Sequence, residues 1–263
     1  MKKISKQILE TIYDHYNRFE YVHPDPLEFL YNYERVRDRE IIGLIASSLA
    51  YGTVSQILKS VHIVLEFLGQ YPYSTLRECQ LQTLERHFRS FKHRFTTGDE
   101  LAHFLYAIKK TIVNFGSLEQ CLVESYREKD QTLNSALSFF VRNIKKVSSV
   151  SLATVLPDVD KGSACKRLNL YLRWMIRKDS VDRGGWQLPQ SKLIIPLDTH
   201  MHYFSLHYGF TQRKSADITT ALEITKQFKR FNNDDPIKYD FAISRFGIRK
   251  ELSWLDFERV RSM

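Results

Sequence analysis

Apolar residues recur along this chain at spacings of three and four, and clear alternation at a spacing of two is absent. Residues 5–18 repeat them at Ile8, Ile12 and Tyr16, residues 53–69 at Val54, Ile57, Val61 and Leu65 before Gly69, and residues 132–146 at Leu133, Leu137, Phe140 and Ile144. A repeat close to the helical period lays each set along one face of a helix. Polar residues mark the ends. Asp38 precedes EIIGLIASSLAYG, a mostly apolar run that predicts a buried helix, and Asp99 precedes ELAHFLYAIKKTIVNFG, closed by Gly116. Ser117 and Gln120 fit a capping box, and Asp235-Pro236 offer a cap and a first-turn proline to IKYDFAISRF before Gly247. The pattern predicts an all-α fold of roughly ten helices in two closely packed helical subdomains.

A chain of 263 residues has room for one large core or two. It carries no repeat, low-complexity tract or long Pro/Gly linker, so residues 1–263 read as a single helical domain with internal seams at GQYPYST (69–75) and KDSVDRGGWQLPQSK (178–192). The second seam is long for a connection, and loops of that length are disproportionately functional. Charge sharpens the division. Residues 1–141 hold 17 Lys and Arg against 17 Asp and Glu, whereas residues 142–263 hold 22 against 13, an excess of nine. Two subdomains are therefore expected: a charge-balanced bundle over 34–141, and a basic half of 142–263 joined by the N-terminal helix 1–20. Such asymmetry points to a polyanion, nucleic acid first.

The three cysteines, Cys79, Cys121 and Cys165, match neither a disulfide framework nor a zinc or iron–sulfur spacing, and are expected as reduced apolar packing. No apolar run approaches the roughly 20 residues of a membrane span, and the opening MKKISKQILETIYDHY has no apolar signal core. A cytoplasmic monomer without a membrane partner or cofactor is expected.

One segment holds candidate chemistry. LPDVDKGSACKRLNLYLRW (156–174) reads as a hairpin feeding a helix over about 162–176, with Ala164, Leu168, Tyr171 and Met175 on its core face. Lys166 lies about 200° round from Ala164, with Leu170, Arg173 and Arg177 on its side, so a cationic face is expected opposite the core. Further on, IPLDTHMHYF (195–204) puts Asp198 at the N-cap of another helix. Asp198, His200 and His202 are all metal-ligand types, but on a helix residues two apart point in nearly opposite directions, so no metal site is expected.

Hairpin, lysine-bearing helix and L-D-T-H together resemble the helix-hairpin-helix DNA glycosylase superfamily, whose pattern reads L-P-G-V-G, a lysine, then V-D-T-H. Here it stands as Leu156-Pro157-Asp158-Val159-Asp160, then Lys161 or Lys166, then Leu197-Asp198-Thr199-His200. Lys166-Arg167-Leu168-Asn169-Leu170-Tyr171-Leu172-Arg173-Trp174 resembles the lysine-opened helix of the archaeal 8-oxoguanine glycosylase branch. DPLEFLYNYERVRDREIIGLIASSLAYGTVSQILKSV is similar to the superfamily's first helices, and the whole chain resembles a bacterial family of hypothetical proteins of unassigned function. Two departures stand out: Asp158 and Asp160 replace the hairpin glycines, and the iron–sulfur cysteines of some relatives are missing.

The resemblance implies a glycosylase with AP-lyase activity on double-stranded DNA with a damaged base, possible lesion 8-oxoguanine, and a nucleotide flipped out of the duplex. It implies Lys166 as the nucleophile, with Lys161 the alternative, and Asp198 as the carboxylate that stabilises positive charge on the sugar. Tyr51 would fill the gap left by the flipped base, Asp240 would face that base, and Lys161, Arg167, Arg173, Lys192 and Arg213 would contact phosphates. A non-catalytic nucleic-acid-binding protein on the same fold and a helical protein-interaction module are the competing classes.

Overall fold

In the computed structural model, residues 4–262 are described, with side chains through residue 259. The fold is all-α. In chain order the helices are α1 (Lys6–Tyr16), α2 (Val36–Ser48), α3 (Val54–Leu68), α4 (Pro72–Glu78), α5 (Leu81–Phe88), α6 (Gly98–Phe115), α7 (Leu118–Val123), α8 (Asn134–Lys146), α9 (Lys166–Ile176), α10 (Thr199–His207), α11 (Ile218–Lys229), α12 (Asp240–Ile248) and α13 (Trp254–Ser262). The strands among the described residues form one antiparallel hairpin, β1 (Lys92–His93) with β2 (Thr96–Thr97). No described helix is long and apolar enough to cross a membrane.

The chain divides into two compact units: Pro24–Lys161, and the described residues up to His23 together with those from Gly162 onward. In sequence terms, residues 1–23 and 162–263 carry 22 Lys and Arg against 14 Asp and Glu, and residues 24–161 carry 17 against 16. The basic excess therefore belongs almost wholly to the first-named segments. The boundary lies at 161/162, where the charge pattern had suggested 141/142. Residues 142–161 go with the earlier bundle because α8 packs on α6 and α7 and the 3-10 turn Val159–Lys161 packs back on α8.

Within Pro24–Lys161, α2 is buried from Asp38 to Ser48 and uses its polar residues to satisfy other elements. Asp38 accepts the Tyr73 N–H at 2.8 Å instead of capping α2, which begins two residues earlier. Glu40 accepts the Leu118 and Glu119 N–H groups at 3.0 and 3.2 Å, so a side chain from α2 completes the N-terminus of α7 alongside the Ser117 cap. The cap of α6 is Thr97, not Asp99. Gly98 then starts α6 so close to α5 that an added Cβ would lie 1.8 Å from the Phe88 carbonyl oxygen.

In the other unit α12 is central, packed by α1, α10 and α13. Its buried Phe241, Ile243 and Phe246 supply much of the core. Gly247 lets α10 approach, since a Cβ there would lie 2.1 Å from His200 Nδ1. α12 begins at Asp240, five residues after the expected cap. The Asp235 carboxylate is engaged elsewhere, as described next.

Candidate functional site

Lys166 is the first residue of α9, delivered by a short loop that is tied down locally. Gly162 adopts φ +78° and its carbonyl accepts the Ile218 N–H at 3.0 Å, while Ser163 forms a bridge with Asp217. Cys165 takes a left-handed conformation, φ +45° and ψ +43°, a costly geometry for a residue with a Cβ. It is held by the Ser163 hydroxyl on its N–H at 3.2 Å and by Asn169, whose amide donates to the Ala164 carbonyl at 2.9 Å. The Lys166 side chain is half-buried, and its ammonium has no hydrogen bond or ion pair among the described residues.

Lys161 belongs to the other unit. Its side chain is 81% exposed and lies 3.8 Å from Asp158. The two hairpin aspartates have structural work of their own. Asp158 accepts the Asp160 N–H at 3.1 Å, closing a turn that glycine would otherwise permit, and Asp160 accepts the Ser138 hydroxyl at 2.7 Å and faces Arg142 at 3.8 Å.

Asp198 caps α10, with Oδ1 accepting the Met201 N–H at 2.8 Å. Its Oδ2 has no hydrogen-bond partner among the described residues. His202 turns away, its Nε2–H donating to the Arg213 carbonyl at 2.8 Å, and His200 lies against Gly247. Among the described residues, the His/carboxylate group with metal-ligand spacing is instead Glu85, Asp99 and His103, whose ligand atoms lie within 4.8 Å of one another. His103 Nε2 is 3.3 Å from Glu85 and 3.7 Å from Asp99, separations that a first-row divalent cation bound to all three would also give. An imidazole Nε2–H donating toward the two carboxylates satisfies the same three atoms.

The expected cationic face of α9 is where the structure departs most from the helical pattern. Arg173 and Arg177 are 3% and 2% exposed. Arg173 donates Nε and Nη2 to the two oxygens of Asp182 at 3.0 and 3.1 Å, and Nη1 to Asp240 at 2.8 Å. Arg177 donates to Asp235, to Asp179 at 2.8 Å, and to Asp182. Asp179 also takes the Tyr13 hydroxyl at 3.0 Å and the Asn17 amide at 3.1 Å. The polar stretch 178–192 thus closes over α9 with two of the four carboxylates, and Trp186 stacks edge-on against Tyr171 at 5.1 Å. Arg173 is consequently not available to a phosphate, and Asp240 is neither a surface carboxylate nor open to a base. Both are corrected to members of a buried ionic network.

That network reaches the candidate chemistry through Asp240. Burial pushes its carboxyl up to about 6, Arg173 opposes the rise, and the charge of Asp198 adds to it. The displacement has a stability consequence. The folded-state value lies above the unfolded value of about 3.9, so this group's contribution is fully present below pH 4 and is lost as pH rises through 6. We expect urea-unfolding free energies of wild type, relative to Asp240→Asn, to fall across pH 4–6 by at most about 1.4 kcal/mol per pH unit. A difference that is flat or rises across that window would contradict the assignment.

The remaining residues named from the sequence are placed as follows. Arg213 is tied to α11, with Nη2 on Asp217 at 2.7 Å and Nε on Thr220 at 2.9 Å, so its guanidinium serves the Asp217 cap. Arg167 and Lys192 are half-buried, Lys192 ending a 3-10 turn over Gln190–Lys192. Tyr51 donates its hydroxyl to the His93 carbonyl at 3.0 Å and lies 2.6 Å from the Thr96 hydroxyl, so it anchors the β1–β2 hairpin and does not project. Asp179 and Asp182 have no local signature; in sequence they are two acids in a polar loop.

A family model described as a protein of unknown function, DUF2400, matches residues 25–249. No curated protein and no solved structure matches the chain.

Proposed function

The chain belongs to the DUF2400 family of proteins of unknown function, and from that premise we propose that it is a DNA base-excision glycosylase with AP-lyase activity. One observation carries the reading: Lys166 and Asp198 are each positioned by backbone contacts in the same basic unit, while Lys166 Nζ and Asp198 Oδ2 are left unengaged among the described residues. We read the turn before α9 as the helix-hairpin-helix-like element that would meet the phosphate backbone of a damaged duplex.

In this reaction Lys166 acts as the neutral amine. Its Nζ bonds to C1′ of the flipped nucleotide, the glycosidic C–N bond breaks, and the base leaves with the bonding pair and takes up a proton. The ionised Asp198 stabilises the positive charge that develops on the sugar, which needs a carboxylate fixed in place before the charge appears. Opening of the sugar ring then gives a Schiff base, from which a proton lost at C2′ expels the 3′ phosphate.

Borohydride reduces such a Schiff base to a stable amine and therefore tests the reading directly. With duplexes carrying 8-oxoguanine, uracil or an abasic site, wild type and Lys161→Ala are expected to give a covalent adduct on at least one, and Lys166→Ala to give none. Adduct that persists in Lys166→Ala would move the nucleophile to Lys161. Salt-sensitive binding without any adduct would leave a nucleic-acid-binding protein that performs no such reaction.

A further inference from the structure

We propose that the β1–β2 hairpin, with the adjoining face of α3, is a binding site for a nucleic-acid strand, Phe95 stacking on a base while Lys59, Lys92 and Arg94 hold its phosphates. Each two-residue strand of the hairpin has one buried and one exposed side chain, and both turn residues are exposed. His93 and Thr96 point inward and are buried, while Lys92, Arg94 and Phe95 point outward and are exposed. The inward side is fixed at several points. His93 Nε2–H donates to the Tyr51 carbonyl at 3.0 Å, which leaves Nδ1 to accept the Ser60 hydroxyl at 2.8 Å, and Tyr51 holds both strands through its own hydroxyl. The backbone on either side of the tip is therefore tied down, so less chain remains to be ordered on binding.

The outward side has features that the turn does not need. Arg94 sits at φ +51°, a conformation that glycine or asparagine would adopt at lower cost. Phe95 is 72% exposed, and the Arg94 guanidinium lies 5.6 Å from the centre of its ring. Between the tip and α3 is an open cleft of about 180 Å³ lined by Gln56, Lys59, Ile63, Lys92 and Arg94 over Ser60 and His93, with no carboxylate in the lining. An aromatic face beside a cation-lined, polar cleft is the arrangement that takes an unstacked base and its phosphodiester. A lipid surface would ask for more apolar anchors, and an acidic peptide would leave the stacking face unused. These residues lie in the nearly charge-neutral unit, so the cationic cleft is a local feature and not a share of the general basic excess.

The proposal takes from the preceding section only the nucleic-acid partner, and the chemistry at Lys166 is not needed for it. It is tested by fluorescence anisotropy with a labelled single-stranded oligonucleotide and with an abasic-site duplex over a range of salt concentrations. Loss of the stacking face in Phe95→Ala is expected to weaken binding about tenfold. Lys92→Ser with Arg94→Asn, which keeps a residue tolerant of the turn, is expected to reduce the slope of log K against log salt by about 1.4 on the single strand. A Phe95→Trp reporter should be quenched as the strand binds. Salt-sensitive binding that is unchanged in affinity and slope by these substitutions, with no quenching, would overturn the hairpin site while the trapping result at Lys166 stands by itself. Absence of any binding by wild type would overturn both.

Discussion

Arg173→Ala is expected to lower the stability of the fold by about 3–5 kcal/mol at pH 7.5. The size follows from what remains, not from the attraction lost. Arg173 is 3% exposed, and its removal strands Asp182 at 0% and Asp240 at 4% exposure. Asp182 keeps its bond from Arg177, but among the described residues Asp240 has no second guanidinium bonded to it, and it faces the charge of Asp198. A buried carboxylate in that position neutralises itself by taking up a proton, so the loss should shrink toward pH 5. Urea-denaturation midpoints at both pH values measure this. The companion variant Arg173→Met with Asp240→Leu, which removes charge from both sides, should recover much of the lost stability, because the net worth of a buried pair is small even when breaking it is costly. A single-variant loss under about 1 kcal/mol would show that the network is solvated in a way its burial excludes.

If the proposed glycosylase reaction is the protein's activity, Asp198→Asn should leave the fold unchanged and reduce its turnover at least a hundredfold, on the order of what removing a positioned catalytic carboxylate costs. Asparagine caps a helix as well as aspartate does, so the bond to Met201 survives, whereas Asp198→Ala should lose about 1 kcal/mol of stability in addition. The pair of variants separates a helix cap from a reacting group. Full turnover by Asp198→Asn would leave Asp198 as a cap alone. The same substitution removes a charge that raises Asp240, so the stability window between pH 4 and 6 should narrow in this variant.

What could be read from the chain was local. Ser117 caps α7 and Asp198 caps α10, because each depends on a side chain and an N–H three residues away. The core faces of α1, α3 and α8 were equally legible, since burying one apolar stripe per helix is what the repeat encodes. Ser117 illustrates the limit even there: the cap is in the sequence, but the Glu40 carboxylate that completes the same helix end comes from 78 residues away.

Tertiary structure decided the fate of the charges. A helical repeat assigned Arg173 and Arg177 to a face opposite the core and could say nothing of what covers that face. Their partners lie from 2 to 67 residues away, in the loop that follows α9, in a turn and in another helix, and only the packing of those elements turns a cationic stripe into a buried network. The hairpin is the converse case. Lys92-His93-Arg94-Phe95 has no helical period, and Tyr51 looked like the residue that projects. Folding pairs the strands, turns Tyr51 inward to hold them, and leaves Arg94 and Phe95 outside. By itself the sequence determined the all-α class, the apolar faces of several helices, and those ends whose cap is local, such as Ser117 and Asp198, whereas the expected caps Asp38, Asp99 and Asp235 were displaced by tertiary contacts. The side on which each ionised group would lie, in water or against an opposite charge, was decided only when distant segments met, because desolvation depends on everything that surrounds a group and not on its neighbours in the chain.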